Sequence, residues 1–195
     1  MEHDIDVHGD DPQAIGALSR ALGRVMSERG GNDRPVVFAC IGTDRSTGDA
    51  LGPLVGQWLV RSGYDRQRVL GTLEDPLHAL NLRQRLAAFH AVPQRPLIVA
   101  VDAALGAPDA VGLISLRNGG LRPGHGVGKM LPRVGDIAIT ATVNIAAGSH
   151  DAHVLQSTRL FIVQALARTI GVACWDAVVA LTPPRPPTRP ALALA

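Results

Sequence analysis

The chain has 195 residues, a length that suits one α/β domain and is short for two. Apolar residues make up 46% of it and charged residues 18%, which excludes a disordered chain. The formal net charge is +2 and aromatic residues make up 3%, so neither charge nor base-stacking side chains argue for nucleic-acid binding. The two cysteines, Cys40 and Cys174, are too few for a disulfide framework and match no zinc-binding spacing.

No segment of the sequence predicts export or insertion into a membrane. Residues 1–9 are acidic and contain histidine, unlike the basic and then apolar start of a signal peptide. The most apolar stretch, 154–181, is interrupted by Arg159, Arg168 and Asp176, so we do not expect it to span a bilayer. We therefore expect a reduced, cytoplasmic protein without a membrane partner.

Hydrophobic periodicity predicts helices that alternate with strands along the chain. A helix opened by proline is expected at 12–29, and the continuous apolar run 35–41 is typical of a strand buried on both faces of a parallel sheet. The remaining predicted elements are a helix to about residue 61, a strand at 69–73, a helix at 76–89 with Leu77, Leu80, Leu82 and Leu86 facing inward, strands at 96–101, 111–116 and 137–143, and a long helix at 152–180.

This alternation predicts the fold class and the domain organisation. Strands and helices at this spacing indicate an α/β fold, a three-layer α/β/α sandwich on a mostly parallel sheet. We expect a single domain over residues 1–181, with its core at 35–181 and the first helix in front of it. Five prolines lie within 182–190, so residues 182–195 are predicted to form an extended C-terminal tail.

Acidic residues follow two of the predicted strands. In a parallel sheet the carboxyl ends of the strands meet at one edge, where ligands bind. The loop 42–53 contains Asp44 and Asp49, and Asp102 ends the strand at 96–101. If Asp49 and Asp102 face one another, they cannot both ionise cheaply, and one keeps a proton near neutral pH. Such a pair can deprotonate a water and protonate a leaving amine, or it can hold a metal.

Each of these two acids also has a structural interpretation. Asp49 falls where a helix is predicted to begin, and aspartate is a favoured N-cap residue. Asp102 could accept hydrogen bonds from loop amides at the end of its strand. The spacing of the sequence alone leaves these alternatives open beside the catalytic pair.

The predicted loop at 117–135 is basic and rich in glycine and proline. Arg122 and Lys129, the only lysine of the chain, are candidates to bind a carboxylate or phosphate of a substrate. A solvated surface loop is the alternative. On the other side of the expected cleft, Asp44 and Arg45 are expected to shape the first strand-end loop around the substrate.

Several motifs, taken as a set, resemble a known superfamily of proteases. Residues 42–53 resemble a loop of the spore germination protease, 99–103 resemble its strand ending in I-D-A-L, and 122–128 resemble its P-G-S-G-V-G-N loop. Residues 40–56 and 131–144 are similar to two motifs of the YyaC-type sporulation proteins, which are smaller relatives of that protease. The superfamily also contains the hydrogenase maturation endopeptidases, and the resemblance implies a phosphorylase/hydrolase-like fold.

The same resemblance implies an activity. The aspartates of the two strand-end motifs are the proposed catalytic pair of the germination protease, and they correspond to Asp49 and Asp102. The sequence departs from the protease pattern at 43–45, which lacks the asparagine, and at Gly48, which replaces a proline. The implied function is a sporulation-associated peptidase that cuts a peptide or a small spore protein in the sporulating cell or forespore. The alternative is a non-catalytic sporulation protein of the same fold that binds a peptide or protein partner.

A metal site is a further alternative that the resemblance raises. In the hydrogenase maturation enzymes two equivalent carboxylates and a histidine bind nickel, which would correspond to Asp49, Asp102 and His125. Two carboxylates and one imidazole are not specific for a metal, and an exposed loop histidine is the simpler interpretation of His125. We therefore expect the protein to work without a metal or other cofactor.

Overall fold

The computed structural model of the protein describes residues 4–90, 94–123 and 133–181. The predicted tail at 182–195 and the candidate residues His125 and Lys129 lie outside these ranges. Within them, six strands form one sheet in the order β1-β5-β6-β4-β2-β3. The strands are β1 (Ile5–His8), β2 (Val36–Cys40), β3 (Val69–Leu70), β4 (Leu97–Gly106), β5 (Leu113–Arg117) and β6 (Ile137–Ile145).

The sheet is mostly parallel, as predicted. Strands β3, β2, β4 and β6 run parallel to one another, and β5 is antiparallel to both β6 and β1. All five residues of β2 are buried, which is why its sequence is a continuous apolar run rather than an alternating one.

Helices cover both faces of this sheet, which confirms the three-layer α/β/α sandwich. The side chains of Phe38 and Val99 point into a core shared with α1 (Ala14–Glu28), α2 (Leu51–Arg61) and α5 (Leu160–Leu181). Their neighbours Val37 and Ile98 point to the opposite face, where α3 (Leu82–His90) packs. A short helix, α4 (Asp151–Ser157), follows β6. The face under α3 has fewer helices, and the candidate site lies on that side.

Helix α5 is long and apolar enough to cross a membrane by length and composition alone, with a mean hydropathy of 1.4. It packs against α1 and α2 and buries residues such as Ile170 and Cys174 in the core. Its apolar character is accounted for by this packing between two helices and the sheet.

The helix predicted at 76–89 begins later, at Leu82. Leu77 instead forms a parallel bridge with Ile41 at the end of β2, and the backbone N–H of Gly42 donates to the Leu77 carbonyl at 2.8 Å. The prediction that Leu80 faces inward is wrong, because its side chain is 85% exposed in the turn before α3. The segment that joins β3 to α3 therefore extends the sheet edge instead of coiling.

Three other boundaries differ from the prediction. The helix predicted at 152–180 is broken at Thr158, whose backbone is extended and whose hydroxyl donates to the Val154 carbonyl at 2.8 Å. Strand β4 does not end at Asp102 but continues to Gly106, because β6 extends alongside it. Strand β1 was not predicted. It has only four residues, which lie at the edge of the sheet and alternate between half-buried and exposed positions.

Candidate active site

The chain changes direction across the sheet at the carboxyl ends of β2 and β4. After β2 it passes to β3 on one side, and it then returns to β4 on the other side of β2. In open α/β sheets such a switch point opens a crevice between the loops that leave the two strands. A cavity of about 480 Å³ lies at this point, and its lining includes Asp49, Asp102, His78, Arg122 and Thr140.

Glycines bring Asp49 back to the end of β2. Gly42 has a φ of +142°, and a Cβ there would lie 1.9 Å from the Asp49 carbonyl oxygen. A Cβ on Gly52 would lie 2.1 Å from the Ile41 carbonyl oxygen, so α2 can begin against the strand only with glycine there. The Thr43 N–H closes the loop by donating to the Asp49 carbonyl at 3.1 Å.

The side chain of Asp49 does not cap a helix. Asp49 lies in the middle of a 3₁₀ turn, Gly48–Ala50, and neither this turn nor α2 has a side-chain cap. The N-cap interpretation of Asp49 is therefore wrong. Burial raises the pKa of its carboxyl, and the nearby Ser46 hydroxyl offsets part of that effect.

Asp102 lies within β4, directly opposite Thr140 of β6. Side chains alternate along a strand, so Asp102 shares the face of Ile98 and Ala100, under which α3 packs. Its Oδ1 accepts a hydrogen bond from the Ala103 N–H at 2.9 Å, the next residue along the strand. Burial, and secondly the charge of Asp49, raise the pKa of Asp102 to about 8.

The two acids thus titrate as a pair in which Asp102 holds a proton at neutral pH. Asp49 is the better candidate for the ionised partner, because its charge is one of the causes that raise the pKa of Asp102. Among the described residues no arginine forms an ion pair with either carboxylate. One proton donor and one proton acceptor therefore face the same cavity.

The two buried side-chain polar atoms that lack a hydrogen-bond partner, within the described ranges, lie close to this pair. One is the Oγ of Ser46, which lies near Asp49 but makes no hydrogen bond of acceptable geometry with any described group. The other is the Nδ1 of His78, a residue of the cavity lining. An unmade buried hydrogen bond costs about 1–3 kcal/mol, so its presence calls for an explanation such as a ligand or a catalytic role. Sequence patterns did not single out His78, although it follows the carboxyl end of the predicted strand at 69–73.

The other predicted site residues take different places. Arg122 lines the cavity with an exposed side chain, whereas Asp44 and Arg45 are exposed in the first loop and are not part of the lining. His125 and Lys129 lie outside the described residues. Within those residues no three His, Cys, Asp or Glu side chains could jointly hold a metal ion. The nickel site considered from the resemblance includes His125, which lies outside these residues, so that alternative stays a prediction.

The fold and the site together define an α/β/α protein with an acid pair at the switch point of its sheet. The chain matches the family model described as "Protein of unknown function (DUF1256)" over residues 6–173, and it belongs to that family. It is 46% identical over 137 residues to the uncharacterized protein YyaC of Bacillus subtilis strain 168. That alignment covers 70% of this chain and 66% of YyaC, which is just under two thirds of the relative.

A solved structure shares the fold. The crystal structure of the [NiFe] hydrogenase maturation protease HycI from Thermococcus kodakarensis KOD1 superposes with a TM-score of 0.50 at 17% sequence identity. The match covers 82% of this chain and 98% of HycI. At this identity the likeness concerns the fold alone.

Proposed function

We propose that this protein is a peptidase in which Asp49 and Asp102 hydrolyse a peptide bond. The observation that carries the proposal is the coupling of the two acids: both line one cavity, and the charge of Asp49 helps to raise the pKa of Asp102 to about 8. Strongly perturbed acids in a cleft are typical of catalytic sites. The fold shared with a maturation protease supports the same reaction class.

The proton transfers of the proposed reaction use the two acids and a water. The Asp49 carboxylate accepts a proton from the water as its oxygen attacks the carbonyl carbon of the peptide. The Asp102 carboxyl donates its proton to the nitrogen as the C–N bond breaks, which releases a carboxylic acid and an amine. A proton then returns from Asp49 to Asp102, so the pair ends as it began.

The proposed substrate is a peptide or a small spore protein, in the cytoplasm of a sporulating cell or forespore. This part of the proposal rests on the motifs at 42–53 and 99–103, which resemble those of the spore germination protease. The rival is a non-catalytic protein of this fold that binds a peptide or protein partner. Such a binder has no need to keep two carboxylates unpaired, and no ion pair to either was found among the described residues.

The test is incubation of the purified protein with small acid-soluble spore proteins, followed by mass spectrometry of the fragments. We expect cleavage by the wild type and by Asp109→Asn, a control at an exposed acid away from the cavity. We expect no cleavage by Asp49→Asn or Asp102→Asn. Fragments that persist in both cavity variants would contradict the catalytic assignment, and the absence of fragments with the wild type would favour the binder.

A further inference from the structure

Hydrogen bonds within its own segment hold the backbone of His78 at the cavity that the two acids line. Its backbone N–H donates to the Asn81 Oδ1 at 2.9 Å, and the Asn81 Nδ2 donates to the Pro76 carbonyl at 3.0 Å. The preceding residue, Leu77, is bridged to Ile41 at the end of β2. His78 therefore enters the cavity lining from the β3 side of β2, while Asp102 lies on the β4 side.

The buried Nδ1 of His78 indicates how the ring is protonated. No described group accepts a hydrogen bond from this atom. Buried N–H groups without an acceptor are rarer than unsatisfied acceptors, because a donor without a partner is costly to bury. In its neutral form the ring therefore carries the proton on Nε2, which leaves an N–H donor on the other side of the ring.

Hydrolysis of a peptide bond requires a hydrogen-bond donor for the carbonyl oxygen, on which negative charge develops. Three backbone N–H groups in the segments that carry the two acids are already used: Gly42 donates to Leu77, Thr43 to Asp49 and Ala103 to Asp102. With these three groups occupied, a side chain of the described lining is the better source of the donor. His78 is the lining residue, in the described part of the chain, whose side chain is left with a buried polar atom unpaired.

We propose that His78 is a catalytic residue whose Nε2–H donates to the carbonyl oxygen of the bond hydrolysed at Asp49 and Asp102. The proposal rests on the proposed function and adds to it the group that stabilises the oxyanion. The hydrogen bonds of Asn81 fix the backbone that carries His78, which limits the reorganisation needed when the substrate binds.

The test compares His78→Leu, His78→Gln and the exposed control His153→Leu on a fluorogenic peptide that carries the sequence cut in the spore protein. We expect His78→Leu to lower kcat by about 100-fold with a much smaller change in KM. The amide N–H of His78→Gln should restore about 10-fold of that loss, a rescue that a merely structural histidine would not show. His153→Leu should match the wild type, since His153 is exposed and is not part of the lining.

A second readout follows the ring itself by nitrogen NMR of the histidine-labelled wild-type protein, with the His78 signals assigned from the variants. We expect the Nε2–H tautomer, and a shift of that resonance when a peptide containing statine, a mimic of the tetrahedral intermediate, is added. Cleavage by His78→Leu at the wild-type rate, alongside none by Asp102→Asn, would overturn this proposal alone, and so would an Nδ1–H tautomer. A wild-type protein that cuts no peptide would overturn the proposed function and this proposal with it.

Discussion

Asp75 and Asp102 both lie near the carboxyl ends of parallel strands, yet their surroundings shift their pKa values in opposite directions. The Arg85 guanidinium binds both oxygens of Asp75 at 2.8 Å, and this pairing lowers the pKa of Asp75. Asp102 has no such partner among the described residues, and burial raises its pKa to about 8. The same residue type thus forms a structural ion pair at one position and holds a proton near neutral pH at the other.

Asp75 and Asp102 contribute to the stability of the folded chain with opposite dependence on pH. Asp75 stabilises the folded state above the unfolded pKa of an aspartate, and this contribution is lost as pH falls through the lowered folded pKa. For Asp102 the sign is opposite: the folded chain keeps a proton that the unfolded chain releases between pH of about 4 and 8, so stability falls as pH rises through that window. A group that costs stability at neutral pH needs a reason to be there, and catalysis supplies one.

The largest expected effect is on activity. Asp49→Asn and Asp102→Asn should each lower kcat/KM for peptide hydrolysis by about 1,000-fold or more, because each removes one of the two proton-transfer groups. Both variants should melt at or above the wild-type temperature, because removing one member of the pair relieves its repulsion. Activity retained together with a lower melting temperature would return both residues to a structural role.

The stability of Asp102→Asn, relative to the wild type, should increase as pH rises. Relative to the wild type, its free energy of unfolding should be nearly equal at pH 4 and should rise by up to about 1.4 kcal/mol per pH unit towards pH 8. Urea unfolding at several pH values measures this difference. A gain that is constant with pH would mean that Asp102 is ionised in the folded protein.

Asp75→Asn should behave in the opposite way. We expect it to lose about 1 kcal/mol of unfolding free energy at pH 7, and less as pH falls, because the ion pair with Arg85 is lost. Arg85→Met should cost a similar amount, and the double variant should cost less than the sum of the two. Additive losses would show that the two side chains do not act as a pair.

A smaller effect is expected at the rim of the cavity. Arg122→Ala combined with Lys129→Ala should raise KM for an acidic peptide several-fold, with the difference shrinking as salt is raised, because surface charge is screened. Arg122 is exposed on the cavity lining, which gives this prediction its structural basis. If the difference in KM between the double variant and the wild type does not change with salt, the charges of Arg122 and Lys129 take no part in substrate binding.

No effect at all is expected from a chelator. Activity should survive EDTA, since the proposed reaction uses two carboxyl groups and a water. Loss of activity, with rescue by a transition metal and weaker metal binding in His125→Ala, would replace the acid-pair mechanism by metal-assisted hydrolysis.

The sequence alone determined the layers of this fold and the two acids at its switch point. The apolar run at 35–41 is typical of a buried strand, and aspartates that follow two such strands can face one another because the carboxyl ends of parallel strands meet at one edge. These are local patterns joined by a general rule of sheet topology, so no tertiary contact was needed to predict them.

Only the tertiary structure decided what surrounds those acids. The pairing of Leu77 with Ile41 stops a helix from forming at 76–81 and brings His78 to the cavity, and that contact joins residues far apart in the chain. The pKa of Asp102 likewise depends on its burial in the folded chain and on the charge of Asp49, whereas the sequence alone shows only an acid near a strand end. Burial and charge proximity are properties of assembled layers, and a linear pattern does not contain them.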